Sequence, residues 1–219
     1  MVDRDKLIRS KEKWAQEGRL LAPDPGPQES KGRERLPVGQ RLVKDWPVLD
    51  LGTQPNLNPK DWTLNVLGAV KRPFKWSWDD LQRETPVERT SDIHCVTAWS
   101  RYDNRWRGVS MNRVIELAQP KPDAKFVILK SYDSYATNVP LADLQRDDVL
   151  LATHWEGQPL TREHGGPVRL VVPHLYFWKS AKWIRQIWFT DRDSPGFWES
   201  RGYHMYGDPW KQQRYGSDK

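Results

Sequence analysis

Apolar and polar positions alternate along Trp62-Thr63-Leu64-Asn65-Val66-Leu67-Gly68, the period of a strand with one covered face. Ser77-Trp78-Asp79-Asp80-Leu81 sets a hydroxyl three residues ahead of an acid, the spacing of a cap that opens a short helix. Ser110 is placed to cap a second helix through Met111–Leu117, which Pro120 ends. Lys125–Lys130 and Val149–Thr153 read as strands, with a short helix around Leu141–Leu144 between them and a turn at Glu156-Gly157. Val168–Val172 is an apolar run of strand length, and Trp183–Thr190 is a β-branched and aromatic one. Short strands broken by small helices, without regular βαβ alternation, predict an α+β fold with mixed β-sheets.

The periodic region is flanked on both sides. Residues 1–40 mix charge with Pro23, Pro25, Gly26, Pro27 and Gly32, which predicts an extended or flexible arm with a short helix around Lys6–Glu17. Residues 41–190 form the domain, and 191–219 a polar, aromatic tail packed on it. Thirteen tryptophans compensate for a hydrophobic fraction of only 37%. The net charge of +6 favours anionic partners: a phosphate-bearing cofactor, an oxyanion or nucleic acid. Met1–Arg9 shows neither a signal-peptide core nor a twin arginine, and no later segment has a membrane-spanning length of apolar residues. With one cysteine, no internal disulfide demands an oxidising compartment, and a cytoplasmic location is expected unless a leader has been removed.

That cysteine, Cys95, lies in Ser91-Asp92-Ile93-His94-Cys95-Val96-Thr97-Ala98-Trp99-Ser100. A thiolate serves as nucleophile or as soft metal ligand, and many lone cysteines are inert and buried. His94 cannot easily pair with it, because neighbours on an extended chain face opposite ways; His154, His164, His174 or His204 would have to approach in space. No cysteine-hydrolase signature surrounds it, and the histidine spacing fits no zinc motif. Nucleic-acid binding finds support in the charge, but the aromatics sit inside strand patterns and no phosphate-binding glycine loop is present. Downstream, His164-Gly165-Gly166-Pro167-Val168-Arg169 lets backbone approach a ligand, and Arg169 and Lys182 add charge suited to phosphate. The same stretch also reads as an ordinary turn feeding a buried strand.

Taken together these motifs resemble the sulfite oxidase superfamily, molybdenum enzymes that carry one pyranopterin. Cys95-Val96-Thr97-Ala98-Trp99-Ser100 resembles the metal-ligating segment of its bacterial branch, which includes the catalytic subunit of methionine sulfoxide reductase. The resemblance implies that Cys95 is both molybdenum ligand and catalytic, and that His164, Arg169, Ser180, Ala181 and Lys182 hold the molybdopterin. It further implies Ser131 as a cofactor contact, and a strand over Pro47–Gly52 that brings Leu49 and Asp50 onto the pterin. Tyr135 and Asn138, in a loop Tyr132–Pro140, and His204 in the tail are candidates for the mouth of the site.

Animal and plant members hold sulfite with an arginine where this chain has Ser100, so reduction of an S-oxide or N-oxide is expected over sulfite oxidation. The expected partners are a small-molecule substrate and a separate electron-transfer protein, with no nucleic acid and no membrane. The residues beyond Thr190 are too few for the family's dimerisation domain, so a monomer is expected. The alternative is a metal-free protein of this fold that binds a protein or nucleic-acid partner.

Overall fold

The computed structural model describes residues 4–16 and 34–218, which build two mixed sheets and four short α-helices. In chain order the elements are α1 (Arg4–Gln16), β1 (Arg41–Leu42), β2 (Thr63–Gly68), β3 (Phe74–Ser77), α2 (Trp78–Arg83), β4 (Val87–Cys95), β5 (Trp99–Ser110) and α3 (Met111–Ala118). They continue with β6 (Phe126–Ser131), β7 (Ala136–Pro140), α4 (Leu141–Leu144), β8 (Leu150–Trp155), β9 (Gln158–Pro159), β10 (Arg169–Val171) and β11 (Ile184–Thr190). Sequence-level caps account for the helix starts. Ser77 and Asp80 complete a reciprocal capping box on α2, and the Ser110 hydroxyl accepts from the Asn112 N–H at 3.3 Å.

The first sheet runs β1-β5-β8-β10, with β4 added to β5 and β9 to β8; the second runs β3-β2-β11-β6-β7. Among the described residues only β1/β5 and β2/β11 are parallel pairs. The second sheet shows the alternation expected of one covered face, as in β2, where Leu64 and Val66 are buried and their neighbours half-exposed. The first sheet is covered on both faces. Val109, Leu151 and Leu170 join the inter-sheet core with α3, while Leu150, Ala152 and Val171 face a second core rich in aromatics. That double coverage is why Val168–Val172 reads as an apolar run interrupted only by Arg169.

The second core contains Trp46, Trp99, Trp106, Tyr176, Phe177, Trp178, Tyr203 and Tyr215. Tail residues therefore complete it: Tyr203 bridges to Tyr215, and both are buried. The tail is also pinned by a fully buried ion pair, Lys179 Nζ to Glu199 Oε1 at 2.6 Å. Lys179 donates in addition to the Asn138 side chain and to two backbone carbonyls, while Glu199 accepts from Trp178 Nε1 and Thr137 Oγ1.

Several boundaries differ from the sequence reading. Residues Ala136–Pro140 are strand β7, not loop, because they pair with β6 in full register. Pro47–Gly52 is irregular and pairs with no strand. The helix expected over Lys6–Glu17 spans Arg4–Gln16, and Glu17 lies outside the described residues. β4 and β5, unassigned from sequence, make the longest hairpin in the chain, with Cys95 paired to Trp99 at its tip. Lys179→Met should leave Glu199 as an uncompensated buried charge and cost about 3 kcal/mol, lowering Tm by roughly 6–12 °C in a thermal melt. The double variant Lys179→Met/Glu199→Gln should recover part of that loss.

Candidate active site

A cavity of about 120 Å³ opens where the tip of the β4–β5 hairpin meets the second core. Its walls include Trp46, Leu49, Asp50, Cys95, Thr97, Trp99, Ser131, Tyr135, Arg169, Trp178, Ser180, Lys182, Trp198 and Tyr203. Cys95 ends β4, and the three residues to Trp99 form a tight turn with Ala98 in the left-handed region at φ 67°. The Ala98 N–H and Gln40 Nε2 donate to the Cys95 carbonyl at 3.0 and 3.1 Å, and Arg214 Nη1 donates to the Val96 carbonyl at 2.6 Å. The thiol is reduced and buried, with Thr97 Oγ1 3.1 Å from Sγ.

His94 turns the other way, its Nδ1 2.8 Å from Ser100 Oγ and its ring edge-on to Trp210. Ser100 is itself buried and lies within 3.4 Å of Gln40 Oε1, so it does not reach the cavity. Arg101 also points away, to the Lys44 carbonyl, Asn104 and the face of Trp155.

At the other end, polar atoms gather without partners. Ser131 Oγ and His164 Nδ1 are buried and make no hydrogen bond within the protein. His164 is held by its ring, stacked 3.8 Å from Trp46. The Ser180 hydroxyl accepts from the Val172 N–H at 2.9 Å, leaving its proton for another acceptor. Gly165 (φ 100°) packs so closely that a Cβ there would sit 2.9 Å from the Lys182 Cβ. Lys182 donates to the Glu163 carbonyl at 2.6 Å and lines the cavity. Burial, helped by Arg169, pulls its ammonium down to about 8.

Arg169 has a different role from a free phosphate-binding hand. Its guanidinium is fully enclosed between Trp46 and Phe177 and donates to the His164 and Ser180 carbonyls at 2.8 and 3.0 Å. It thus fixes two walls of the cradle to each other. Burial alone lowers it to about 9.

The structure brings together Cys95, Leu49, Asp50, Ser131, Tyr135, Arg169, Ser180 and Lys182 around one cavity, with His164 immediately behind Trp46. Asp50 is engaged by the Gly52 N–H and by Gln54, and Tyr135 donates to the Trp178 carbonyl at 2.6 Å. Ala181 faces the inter-sheet core instead. Asn138 and His204 are not at the mouth: Asn138 is buried against Lys179 and Asp193, and His204 Nδ1 accepts from the Tyr206 and Gly207 N–H groups. Lys11, Thr97, Trp178, Trp198 and Tyr203 were not singled out from sequence, since nothing in their local pattern sets them apart. Among the described residues no cluster of His, Cys, Asp and Glu suits a metal, and His154, His164 and His174 have separate neighbours.

A lone buried thiol facing a cradle of unanswered donors and acceptors fits a protein that takes a large polar cofactor and adds one soft ligand to its metal. The comparisons agree. Residues 51–198 match the family model of the oxidoreductase molybdopterin binding domain, and the chain belongs to that family, within the sulfite oxidase superfamily. It is similar to the uncharacterized oxidoreductase YuiH of Bacillus subtilis, 47% identical over 83% of this chain and 92% of that one. It is also similar to the catalytic subunit MsrP of protein-methionine-sulfoxide reductase from Campylobacter jejuni, 30% identical over 69% of this chain. The chain spans only 57% of that subunit.

Among solved structures, the sulfane dehydrogenase SoxCD of Paracoccus pantotrophus matches with a TM-score of 0.58 and 24% identity, over 64% of this chain and 40% of that one. This supports the α+β architecture. The chain is accordingly an oxidoreductase of the molybdopterin-binding class. Among the described residues no helix is long and apolar enough to cross a membrane.

Two buried histidines set a pH dependence of stability. His94 is lowered to about 4 by burial, against the opposing pull of Asp92; His164 is lowered to about 4 by burial and by Arg169 and Lys182. Unfolded histidines bind protons from about 6.5 downward. The unfolded state therefore takes up more protons between about pH 6.5 and 4, and stability falls as pH falls through that window. Urea midpoints measured across it should decline, and His94→Gln should flatten the decline.

Proposed function

We propose that this chain moves an oxygen atom and two electrons per turnover, with Cys95 Sγ as the protein's ligand to a molybdenum carried by one molybdopterin. The observation that carries the reading is a buried thiol on a cavity also lined by Lys182 and the unpartnered Ser131 Oγ, with the unpartnered His164 Nδ1 behind its Trp46 wall. Lys182 would take the cofactor's phosphate, helped by the Ser180 hydroxyl. Ser131 and His164 would meet the polar edges of the pterin, and the segment of Leu49 and Asp50 would close over it. When bound, the group supplies the redox couple and the site of oxygen exchange.

The protein's own contributions follow from the geometry. The turn hydrogen bonds hold the Cys95 backbone fixed, and Thr97 sits beside Sγ. Trp178 and Trp198 wall off water. Tyr203 holds its phenolic proton at Oη; burial, with Tyr215 and Cys95 nearby, raises it well above the ordinary tyrosine range, and that hydroxyl has no partner in the protein.

Reduction of an S-oxide or N-oxide is the favoured direction, R₂S=O + 2H⁺ + 2e⁻ giving R₂S + H₂O. It is supported by the names of the methionine-sulfoxide reductase relatives, and by Ser100 and Arg101 both facing away from the cavity. The electrons would come from a separate protein. A single free cysteine suits the reducing cytoplasm.

Purified from a host that makes the cofactor, the wild type should hold near-stoichiometric molybdenum and pterin and reduce methionine sulfoxide with an artificial donor. Cys95→Ser should lose that activity even where pterin is retained, and Lys182→Met should retain pterin on the order of tenfold more weakly. Robust sulfite turnover would reverse the assigned direction. Absence of both metal and pterin would remove the reading.

A further inference from the structure

Helix α1 lies outside the matched domain, yet it delivers a side chain into the cavity. Lys11 is only 9% exposed and lines the same space as Cys95 and Tyr203. Its ammonium stands 5.4 Å from the ring centroid of Trp198, which packs 5.1 Å from Tyr203. The helix is held there by the tail, through Arg201 Nε to Glu12 Oε1 at 3.0 Å. Among the described residues Lys11 has no acid partner; burial lowers its ammonium, and the charge of the Cys95 thiol acts in the opposite direction. A buried ammonium facing aromatic walls is costly unless an anion or a strong dipole answers it.

The other cations of the cavity are already committed. Arg169 donates to backbone carbonyls, and Lys182 donates to the Glu163 carbonyl and packs against Gly165. Lys11 is thus a cation at the Cys95 end. It stands where Ser100 offers nothing, supplied from a part of the chain remote from the metal-ligating turn.

Resting on the oxidoreductase reading above, we propose that Lys11 is a substrate-binding residue and that the substrate is a small anionic S-oxide or N-oxide, admitted beneath α1, rather than the exposed side chain of a folded protein. Lys11 pairs with the substrate's negative group or with its oxide oxygen. Trp198 and Tyr203 stack against the remainder, and Glu12–Arg201 keeps the helix seated.

The test is titration of the full, cofactor-loaded chain with sulfate as oxyanion probe and dimethyl sulfoxide as neutral probe, followed by tryptophan fluorescence and calorimetry. Lys11→Met should weaken sulfate binding on the order of tenfold or more and leave dimethyl sulfoxide nearly unchanged. Lys11→Arg should retain sulfate within a few-fold, and Glu12→Gln should lie between. Equal sulfate affinity in wild type and Lys11→Met, or equal losses for both probes, would overturn the proposal. Pterin and molybdenum content, measured on the same samples, separates its failure from that of the oxidoreductase reading: equal sulfate affinities in loaded samples overturn the proposal alone, whereas samples without pterin and metal overturn the reading on which it rests.

Discussion

The structure depends on holding one backbone carbonyl, that of Cys95, rigidly at the edge of an aromatic core. Two donors fix it, the Ala98 N–H within the turn and Gln40 from the segment before β1, and Arg214 of the tail secures the next carbonyl. Each donor comes from a different part of the chain, so the arm-proximal segment, the hairpin and the tail must all be in place before the thiol is oriented. A buried carbonyl deprived of its donors costs more than the net worth of the bonds, on the order of 1–3 kcal/mol. The tip of the hairpin is therefore a junction of the whole domain, not a local turn.

Two buried cations and a half-buried one show how the basic excess is divided. Lys179 is structural, neutralised by Glu199 and surrounded by carbonyls. Arg169 is a brace between the His164 turn and Ser180. Lys182 lines the cavity, packed against a glycine that leaves no room for a side chain. Sequence singled out Arg169 and Lys182 and passed over Lys179, and it could not separate brace from cavity wall, because charge is visible in a sequence but the partner that consumes it is not. The same reasoning separates Ser100, whose hydroxyl lies between His94 and Gln40, from Ser131, whose hydroxyl has no partner.

What was legible was whatever local pattern decides. The capping box at Ser77, the alternation of β2 and the two-sided burial behind Val168–Val172 all follow from spacing. The cysteine and glycine motifs pointed to one cavity because they were read jointly, and Cys95, Arg169, Ser180 and Lys182 line it, as do Leu49, Asp50, Ser131 and Tyr135, which were named on looser grounds. Asn138 failed because a polar residue in an assumed loop proved to be a buried strand residue holding Lys179. His204 failed because its ring nitrogen caps a turn. Lys11, Trp198 and Tyr203 were given no site role for the opposite reason: they line the cavity only because two ends of the chain meet over it, a long-range event with no local signature.

The most direct test of the central claim is the molybdenum K-edge absorption spectrum of the loaded protein and of Cys95→Ser. The account predicts that the wild-type metal has one more sulfur neighbour than the variant, with the remaining sulfur shell unchanged. An identical sulfur shell in the two proteins would contradict ligation by Cys95 and, with it, the reason for the hairpin's construction.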